Sequence, residues 1–433
     1  MKQFASYVSE LRALACDSMG AESAGTRRQD EIVAALDGQP STRLRQLVAL
    51  ELLRQDGVFF SGSELAAQAI APIADQLNRQ SRVYDPACGA GDLLLACATH
   101  LPLESTLGET LQTWSQCLMG RDLHHEFAEA ARYRLALLAM NRGATTSSSL
   151  DLEKYFPKIR VARGELDRRA LRSTTHLVVN PPFTQVAAPA SCTWRRGRVS
   201  MAALFVEECL RGLQANARLV AILPDVLRSG HGYARWREIV EKSCRIERID
   251  VFGRFSESAN VDVFILEAVR KTRATDGKAA WIGKCLSENS VGDFFTVSVG
   301  SVVDYRDEHR GPWRRFATSR NLPRWSTVQE VVGSRRTTKQ PVSPPFVAVR
   351  RTSSPKDSRR AVATLVSGKN LVAVENHLLV LKPKDGKVAS CRELVKVLKH
   401  ESTSTWLNNR IRCRHLTVRA VGEIPWIDTS GEK

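Results

Sequence analysis

The chain lacks the marks of several common protein classes. Its 433 residues include ten cysteines, but no two are spaced as Cys-x-x-Cys, so a zinc site of the usual ligand spacing is not expected and no metal is assigned. Cys16, Cys88, Cys97, Cys117, Cys192, Cys209, Cys244, Cys285, Cys391 and Cys413 are scattered. Many lie in apolar surroundings, where a thiol packs as a small hydrophobe, and this usage fits a reducing compartment. No apolar run reaches the ~18 residues of a membrane-spanning helix, and the N-terminus has no apolar stretch of the secretory kind. A cytoplasmic protein without membrane contact is expected. No internal repeat and no nuclease motif is visible. Acidic residues are the minority, 46 Asp and Glu against 63 Lys and Arg, a net charge of +17. Such an excess favours a polyanionic partner, because each phosphate contact releases counterions; a generally basic surface is the alternative. Hydrophobic residues make up 43% and charged residues 25%, which argues against disorder. The length allows two domains.

Two motifs stand out. Asn180-Pro181-Pro182-Phe183 follows an apolar run, His176 to Val179, that reads as a buried strand. Consecutive prolines fix φ twice and remove two backbone donors, so the segment is a stiff turn and not more ladder. An Asn amide and a bare carbonyl then stand beside a flat apolar ring. That set can grip a planar amine-bearing group such as a nucleobase edge, although a rigid capped loop would use the same residues. Upstream, Val83-Tyr84-Asp85-Pro86-Ala87-Cys88-Gly89-Ala90-Gly91-Asp92 runs from a short strand through a Gly-x-Gly turn into a leucine-rich helix. Glycines there let the backbone approach a ligand, and the helix start offers unpaired N–H groups. The loop suits a nucleotide at the edge of an α/β sheet, but it lacks the third glycine of the dinucleotide fingerprint. Asp-Pro-x-x-Gly-x-Gly upstream of Asn-Pro-Pro-Phe is much more specific than either motif alone.

Together these residues resemble the gamma class of N6-adenine DNA methyltransferases, which includes type I modification subunits and many type II adenine methylases. The order is the same: cofactor motif, catalytic motif, recognition region. The resemblance covers residues 50–270 well and the remainder loosely. It implies a Rossmann-like methyltransferase fold, a doubly wound α/β sheet, with S-adenosyl-L-methionine as cofactor and double-stranded DNA as substrate. A cognate restriction endonuclease or specificity subunit is the implied partner. The Asn180 side-chain oxygen and the Pro181 carbonyl would accept the two N–H groups of the N6 amine, localising its lone pair, with Pro182 completing the stiff turn. The base must leave the duplex to reach such a pocket. Phe183 would stack on one face of it and Phe255 on the other, a core aromatic being the alternative for Phe255. No strong base is required, so catalysis is mostly positioning and electrostatics.

The resemblance also implies cofactor contacts. In Gly57 to Ala66, Phe59 and Ser61 would line the pocket, with Ser61 at the position of the family's threonine and Gly62 replacing its proline. The spacing Ser61-x-x-Glu64 is at the same time a capping-box pattern that predicts a helix start. Asp122 ends a second strand, Leu118 to Asp122; its carboxylate can accept two hydrogen bonds from ribose hydroxyls, or it caps the next helix. The gap from Asp85 to Asp122 is 37 residues, longer than the ~20 usual between loop and acid, so an insertion around residues 100–115 is expected. Near the cofactor adenine, Glu165 and Asp167 are candidates, with Glu165 preferred by spacing.

Other readings remain open. Cytosine-N4 methylation shares the amine logic, but its motif more often carries Ser in place of Asn. A cytosine-5 mechanism needs a nucleophilic Cys, absent near Asn180. Ribosomal RNA or a protein glutamine poses the same chemical problem, and a catalytically silent DNA-binding subunit would keep the fold.

The expected organisation is an N-terminal helical segment over residues 1–55, a methyltransferase domain over 56–275 and an α+β DNA target-recognition region over 276–433. Gly20 to Arg28 and Gly38 to Thr42 read as loops, as does Phe252 to Ser258 before a strand at Val261 to Ala268. Trp194, Arg195, Arg196 and Arg198 form a basic loop able to meet phosphates. Beyond residue 275, Arg314-Arg315, Arg335-Arg336, Arg350-Arg351 and Arg359-Arg360 come as doublets interleaved with Trp313, Phe316, Trp325 and Phe346. Asn408, Asn409, Arg410 and Arg412 follow. Basic doublets suit phosphates, and Asn and Arg suit base edges.

Overall fold

The computed structural model describes residues 2–19, 26–146, 149–162, 166–255, 261–277, 279–282, 288–355, 357–412 and 415–427. The chain divides into two compact units, Met1–Ala279 and Ala280–Lys433.

In the first unit, among the described residues, seven strands make one sheet. They are β1 (Val83–Asp85), β2 (Leu118–Asp122), β3 (Ile159–Val161), β4 (His176–Val179), β5 (Arg218–Pro224), β6 (Cys244–Arg254) and β7 (Asp262–Arg270). Their order is β3-β2-β1-β4-β5-β7-β6. The first five are parallel, and β7 runs antiparallel to both of its neighbours. The short strands are nearly continuous apolar runs, as strands covered on both faces must be. Val178, Val220, Ile222, Val263 and Ile265 join the core beneath the N-terminal helices. The alternate residues Leu177, Val179, Leu219, Leu223, Phe264 and Leu266 are buried too, on the opposite face. This is a Rossmann-like, doubly wound α/β fold with one antiparallel strand. Strand order reverses between β1 and β4, the place where ligands bind in open α/β sheets, and both sequence motifs end strands there.

Helices α1 (Ala5–Ser18), α2 (Thr26–Leu36), α3 (Gln39–Leu47), α4 (Leu50–Asp56), α5 (Ser63–Ile70), α6 (Asp92–Ala98), α7 (Leu107–Cys117) and α8 (His125–Asn141) share one core. Phe4, Tyr7 and Leu11 bring the N-terminal segment into that core. On the other side lie α9 (Arg168–Ser173), α10 (Met201–Gly212) and α12 (Ala234–Ser243), with the short α11 (Asp225–Ser229) between the last two. Trp236 of α12 ties to α10 by donating to the Ala203 carbonyl at 3.0 Å.

Four local readings differ from the structure. Gly38 to Thr42 is not a loop: Gly38 turns at φ +73° and α3 begins at once, with Pro40 in its first turn, where a missing N–H costs nothing. Residues 100–115 are largely the helix α7, closed by a reciprocal box in which Thr106 Oγ1 accepts from Glu109 N–H at 3.2 Å and the Glu109 carboxylate accepts from Thr106 N–H at 3.1 Å. Phe252 to Arg254 belongs to β6, with a bulge between Val251 and Gly253 and a glycine φ of +108°. Ser256 to Ser258, from the rest of that stretch, lies outside the described residues, as does Gly20 to Gly25, while Thr26 to Arg28, also expected as loop, opens α2.

The second unit is α+β. Its strands are β8 (Phe295–Val299), β9 (Trp313–Ala317), β10 (Thr327–Val328), β11 (Ser334–Arg336), β12 (Phe346–Arg350), β13 (Ala363–Val366), β14 (Val372–Val374) and β15 (Leu378–Pro383). One sheet has the order β8-β15-β12-β13-β10, and a smaller one β11-β9-β14. Val347, Val349, Leu379 and Leu381 face α13 (Val388–Lys399), α14 (Glu401–Arg410) and α15 (Val418–Gly422) through Leu394, Val397, Leu407 and Val421. The alternate residues Phe346, Ala348, Leu378 and Val380 pack with Ala317, Val372 and Val374 of the smaller sheet.

Candidate active site

Asp85 ends β1 with only 2% of its surface exposed. Its Oδ1 accepts the Ala87 N–H at 3.0 Å. Burial pushes its carboxyl up to about 8; that hydrogen bond opposes the rise, and the neighbouring carboxylates of Asp122 and Asp92 add to it. Gly89 and Gly91 follow at φ +52° and +91°, a region that L side chains avoid. Space excludes side chains as well: a Cβ on Gly91 would lie 2.8 Å from Ala131 Cβ, and one on Gly89 3.0 Å from the Phe60 ring. The loop is held from β2. Asp122 Oδ2 accepts the Gly89 N–H at 3.0 Å, and Oδ1 accepts the His124 N–H at 2.9 Å. Burial raises the Asp122 carboxyl while these N–H groups lower it. Asp122 is not the cap of α8, whose N-cap is His124.

Asn180 follows β4, one strand away. Its Nδ2 donates to Ser61 Oγ at 2.9 Å and to the Phe59 carbonyl at 3.4 Å. A carbonyl can only accept, so Phe59 fixes which end of the amide faces inward. Asn180 Oδ1 is then a buried acceptor with no hydrogen-bond partner among the described residues. The capping-box reading of Ser61 and Glu64 is corrected here. The N-cap of α5 is Gly62, with no side-chain cap, and the Ser61 hydroxyl serves Asn180 instead. Gly62 has φ +75°, and its N–H donates to Asp92 Oδ2 at 2.7 Å. Proline could supply neither that φ nor that proton, so the departure from the family pattern has a physical use here.

Asp92 and Arg134 were missed by sequence reading. Arg134 is 1% exposed. It donates from Nη1 to Asp92 Oδ1 at 2.8 Å, from Nε to the Ala35 carbonyl at 2.8 Å and from Nη2 to the Leu36 carbonyl at 3.1 Å. A guanidinium with several acceptors is the form in which a buried charge is tolerable. The polar chain from Arg134 through Asp92 and Gly62 to Ser61 and Asn180 links the glycine loop to the double-proline turn. An arginine amid the alanines and leucines of α8 was the available signal. Phe59, Phe60, Ser61, Asp85, Gly89, Asp92 and Asn180 line one small cleft of about 20 Å³. Gly57 backs it from below: a Cβ there would meet Thr184 Cγ2 at 2.8 Å and Pro182 Cβ at 3.1 Å. Pro181 is buried beneath the turn, and Pro182 and Phe183 are half-buried.

Phe183 and Phe255 do come together, but edge to face, with centroids 5.4 Å apart and planes at 81°. A base held between parallel rings needs about 7 Å, two contacts of ~3.5 Å. Phe255 is itself 8% exposed and makes a second edge contact to Phe59 at 6.4 Å. Glu165 lies outside the described residues. Asp167 is the N-cap of α9, accepting from Arg169 and Ala170 N–H at 3.0 and 3.1 Å, and the Ala170 bond contributes most to lowering its carboxyl. Trp194 is a core residue, donating to Glu207 at 2.7 Å, while Arg196 and Arg198 stay exposed.

In the second unit two of the doublets separate by burial, Arg335-Arg336 and Arg359-Arg360. Arg335 is buried, bonded to Asp304 and lying over the Phe316 ring, whereas Arg336 is exposed. Arg360 is fully buried, donating to Asn408 Oδ1 at 3.2 Å, Ser353 Oγ at 3.3 Å and the Leu407 carbonyl at 3.3 Å. Arg410 pairs with Glu423 at 2.6 Å. These three arginines, and Asn408 with them, hold the unit together and are not phosphate contacts.

No protein-family model and no curated protein sequence matches the chain. Among solved structures it is similar to the type IIG restriction endonuclease BpuSI, at 12% identity over 91% of this chain and 61% of that one, with a TM-score of 0.47. It is similar to the type IIL restriction-modification enzyme MmeI in complex with DNA, at 12% identity, 95% and 69% coverage and a TM-score of 0.47. For the type I restriction enzyme EcoKI M protein the figures are 15% identity, 63% and 65% coverage and a TM-score of 0.39. The chain spans about three fifths of the length of BpuSI. Among the described residues no helix is long and apolar enough to cross a membrane.

Proposed function

We propose that the chain is an S-adenosyl-L-methionine-dependent DNA methyltransferase that modifies the N6 amine of an adenine flipped out of duplex DNA, within a restriction-modification or phage-defence system. The observation that carries this reading is the Asn180 amide. Its nitrogen end is consumed by Ser61 and Phe59, and its oxygen end is buried without a donor. A buried carbonyl left unpaired costs about 1–3 kcal/mol, and an incoming N–H group would remove that cost. An exocyclic amine has two N–H groups to give; the Pro181 carbonyl is the proposed second acceptor. With both protons bound, the nitrogen lone pair is drawn out of the ring, where conjugation otherwise holds it.

The rest of the cleft suits a cationic cofactor. Asp85, Asp92 and Asp122 crowd one another, and Asp85 is raised by burial with no cation beside it among the described residues. S-adenosyl-L-methionine, when bound, supplies an electrophilic methyl on a positively charged sulfonium. Asp85 would balance positive charge, Asp122 would hold the Gly89 loop and a ribose hydroxyl, and Phe59, Ser61, Gly89 and Gly91 would shape the remaining walls. Glu165 stays the proposed contact to the cofactor adenine, since Asp167 is committed to its helix. Phe183 would carry one face of the base, and Phe255 must swing from its edge contact to cover the other. In this reading residues 1–55 brace the site, 56–275 perform the transfer and 276–433 select the target, with a cognate endonuclease or specificity subunit as partner.

Asn180→Ala is the test. Methyl transfer from labelled cofactor to duplex DNA should fall by about 10²–10³ or more, with cofactor binding by calorimetry retained. Full activity in that variant would sink the reading. Running RNA and protein acceptors beside the DNA separates the substrate classes, and sequencing of modified DNA gives the base.

A further inference from the structure

Trp313 is 67% exposed although it sits in a regular strand. A ring of that size left in water on an ordered sheet forgoes most of the burial a core tryptophan gains. It stands directly opposite Arg336 in the β9–β11 pair, so both side chains rise from the same face. The surroundings are cationic in a selective way. Arg315 is neutralised by Glu330 and Arg335 by Asp304. The Arg314 side chain, on the opposite face of the strand from Trp313, has no hydrogen bond or ion pair among the described residues, and that of Arg336 has a single bond, from Nε to the Gly311 carbonyl at 2.9 Å. Trp313, Arg314, Arg315, Ser334, Asn370 and Leu371 line an open cleft of about 400 Å³. The exposed Lys369 adjoins it in sequence.

We propose that this cleft and its rim form a nucleic-acid subsite in which Trp313 stacks on a base while Arg336, beside it on the same face, and Arg314, lining the cleft from the other face of the strand, take the adjoining phosphates. The inference rests on the reading that the substrate is DNA. An exposed indole near guanidiniums that carry no ion pair is a combination that holds a strand: the ring tolerates any base, and the cations follow the backbone. Charge agrees with that occupant. Residues 280–433 carry 27 Lys and Arg against 14 Asp and Glu, so +13 of the chain's +17 lies in this unit. An acidic protein segment would match the arginines, but it would leave the ring without a planar partner.

The experiment is fluorescence anisotropy of the full chain with a labelled random-sequence duplex, the corresponding single strand and polyglutamate. Trp313→Ala should weaken nucleic-acid binding about 5- to 100-fold, and Trp313→Phe should restore most of it. Arg314→Gln and Arg336→Gln should each lower the salt dependence of binding by about one phosphate contact. Melting temperatures should be unchanged, because the ring is exposed. The proposal is overturned if Trp313→Ala binds both nucleic acids like the parent, or if polyglutamate competes equally and the ring does not matter. A larger loss on the single strand than on the duplex identifies an unpaired base as the stacked one, and the reverse identifies a wedge in the helix. Methyl transfer measured on the same variants keeps the two readings apart: transfer that depends on Asn180 alongside indifference to Trp313 removes only the subsite.

Discussion

Residues 1–279 carry 36 Lys and Arg against 32 Asp and Glu, and their candidate site is lined by the acids Asp85 and Asp92 with Asp122 beside them. Residues 280–433 carry nearly twice as many basic as acidic residues, and their open cleft is lined by arginines. The net charge of the whole chain therefore describes neither site. An acidic, buried cleft attracts a cation and repels phosphate; an open basic face does the opposite. In the proposed function, holding a polyanion and activating a cationic methyl donor make opposite electrostatic demands, which the two units would divide.

The comparison can be broken most severely inside the second unit. Arg360→Ala should destabilise it by about 3–5 kcal/mol, because the carbonyls and the Asn408 oxygen around the guanidinium lose their donor, while Arg336→Ala should stay within about 0.5 kcal/mol. Denaturant unfolding of both variants checks whether burial, and not charge alone, separates the arginines. In the first unit, Asp92→Ala should cost about 1.5–3 kcal/mol, since Arg134 and the Gly62 N–H both lose a charged acceptor. It should also reduce methyl transfer more than a remote variant of equal stability does, which activity measured against melting temperature would reveal.

A third test uses pH. The Asp85 carboxyl sits at about 8 in the folded chain, above its usual 3.8. Its favourable share of stability is thus full below the unfolded value and lost as pH rises through about 8. A cationic ligand binds the ionised form, so cofactor affinity should drop by up to about tenfold, ~1.4 kcal/mol, per pH unit below about 8. The thermal shift produced by S-adenosyl-L-methionine should be larger at about pH 9 than at about pH 6, and Asp85→Asn should flatten that dependence. Equal shifts at both pH values would remove the acidic-cleft side of the comparison. The smallest effect is expected for Ser61→Ala, about 0.5–1.5 kcal/mol in transfer rate, from one lost acceptor on the Asn180 amide. Here kcat should fall by more than the cofactor Kd rises, although Ser61 also walls the cofactor cleft.

Much of the first unit was legible. The apolar runs of β4 and β5, the glycine loop and the double-proline turn are local signals, and each ended where the sheet required. The helix α7 was passed over because its capping box at Thr106 and Glu109 falls in a stretch whose length argued for an insertion. The Arg335-Arg336 doublet was misread for a simpler reason. Successive residues of a strand point to opposite faces, so Arg335 and Arg336 could not both meet solvent on one side.

The sequence by itself determined the stiffness of Asn180-Pro181-Pro182-Phe183, the φ freedom at Gly89 and Gly91 and the excess of basic charge after residue 280. These depend on covalent geometry and composition, which need no neighbours. Only the tertiary structure decided what the Asn180 amide sees. Its two acceptors come from Phe59 and Ser61, more than a hundred residues earlier, and Ser61 is steadied through Gly62 by Asp92 and Arg134. Burial, which decides whether a polar atom is paired, orphaned or raised in pKa, is set by packing between segments far apart in the chain, and no local pattern carries it.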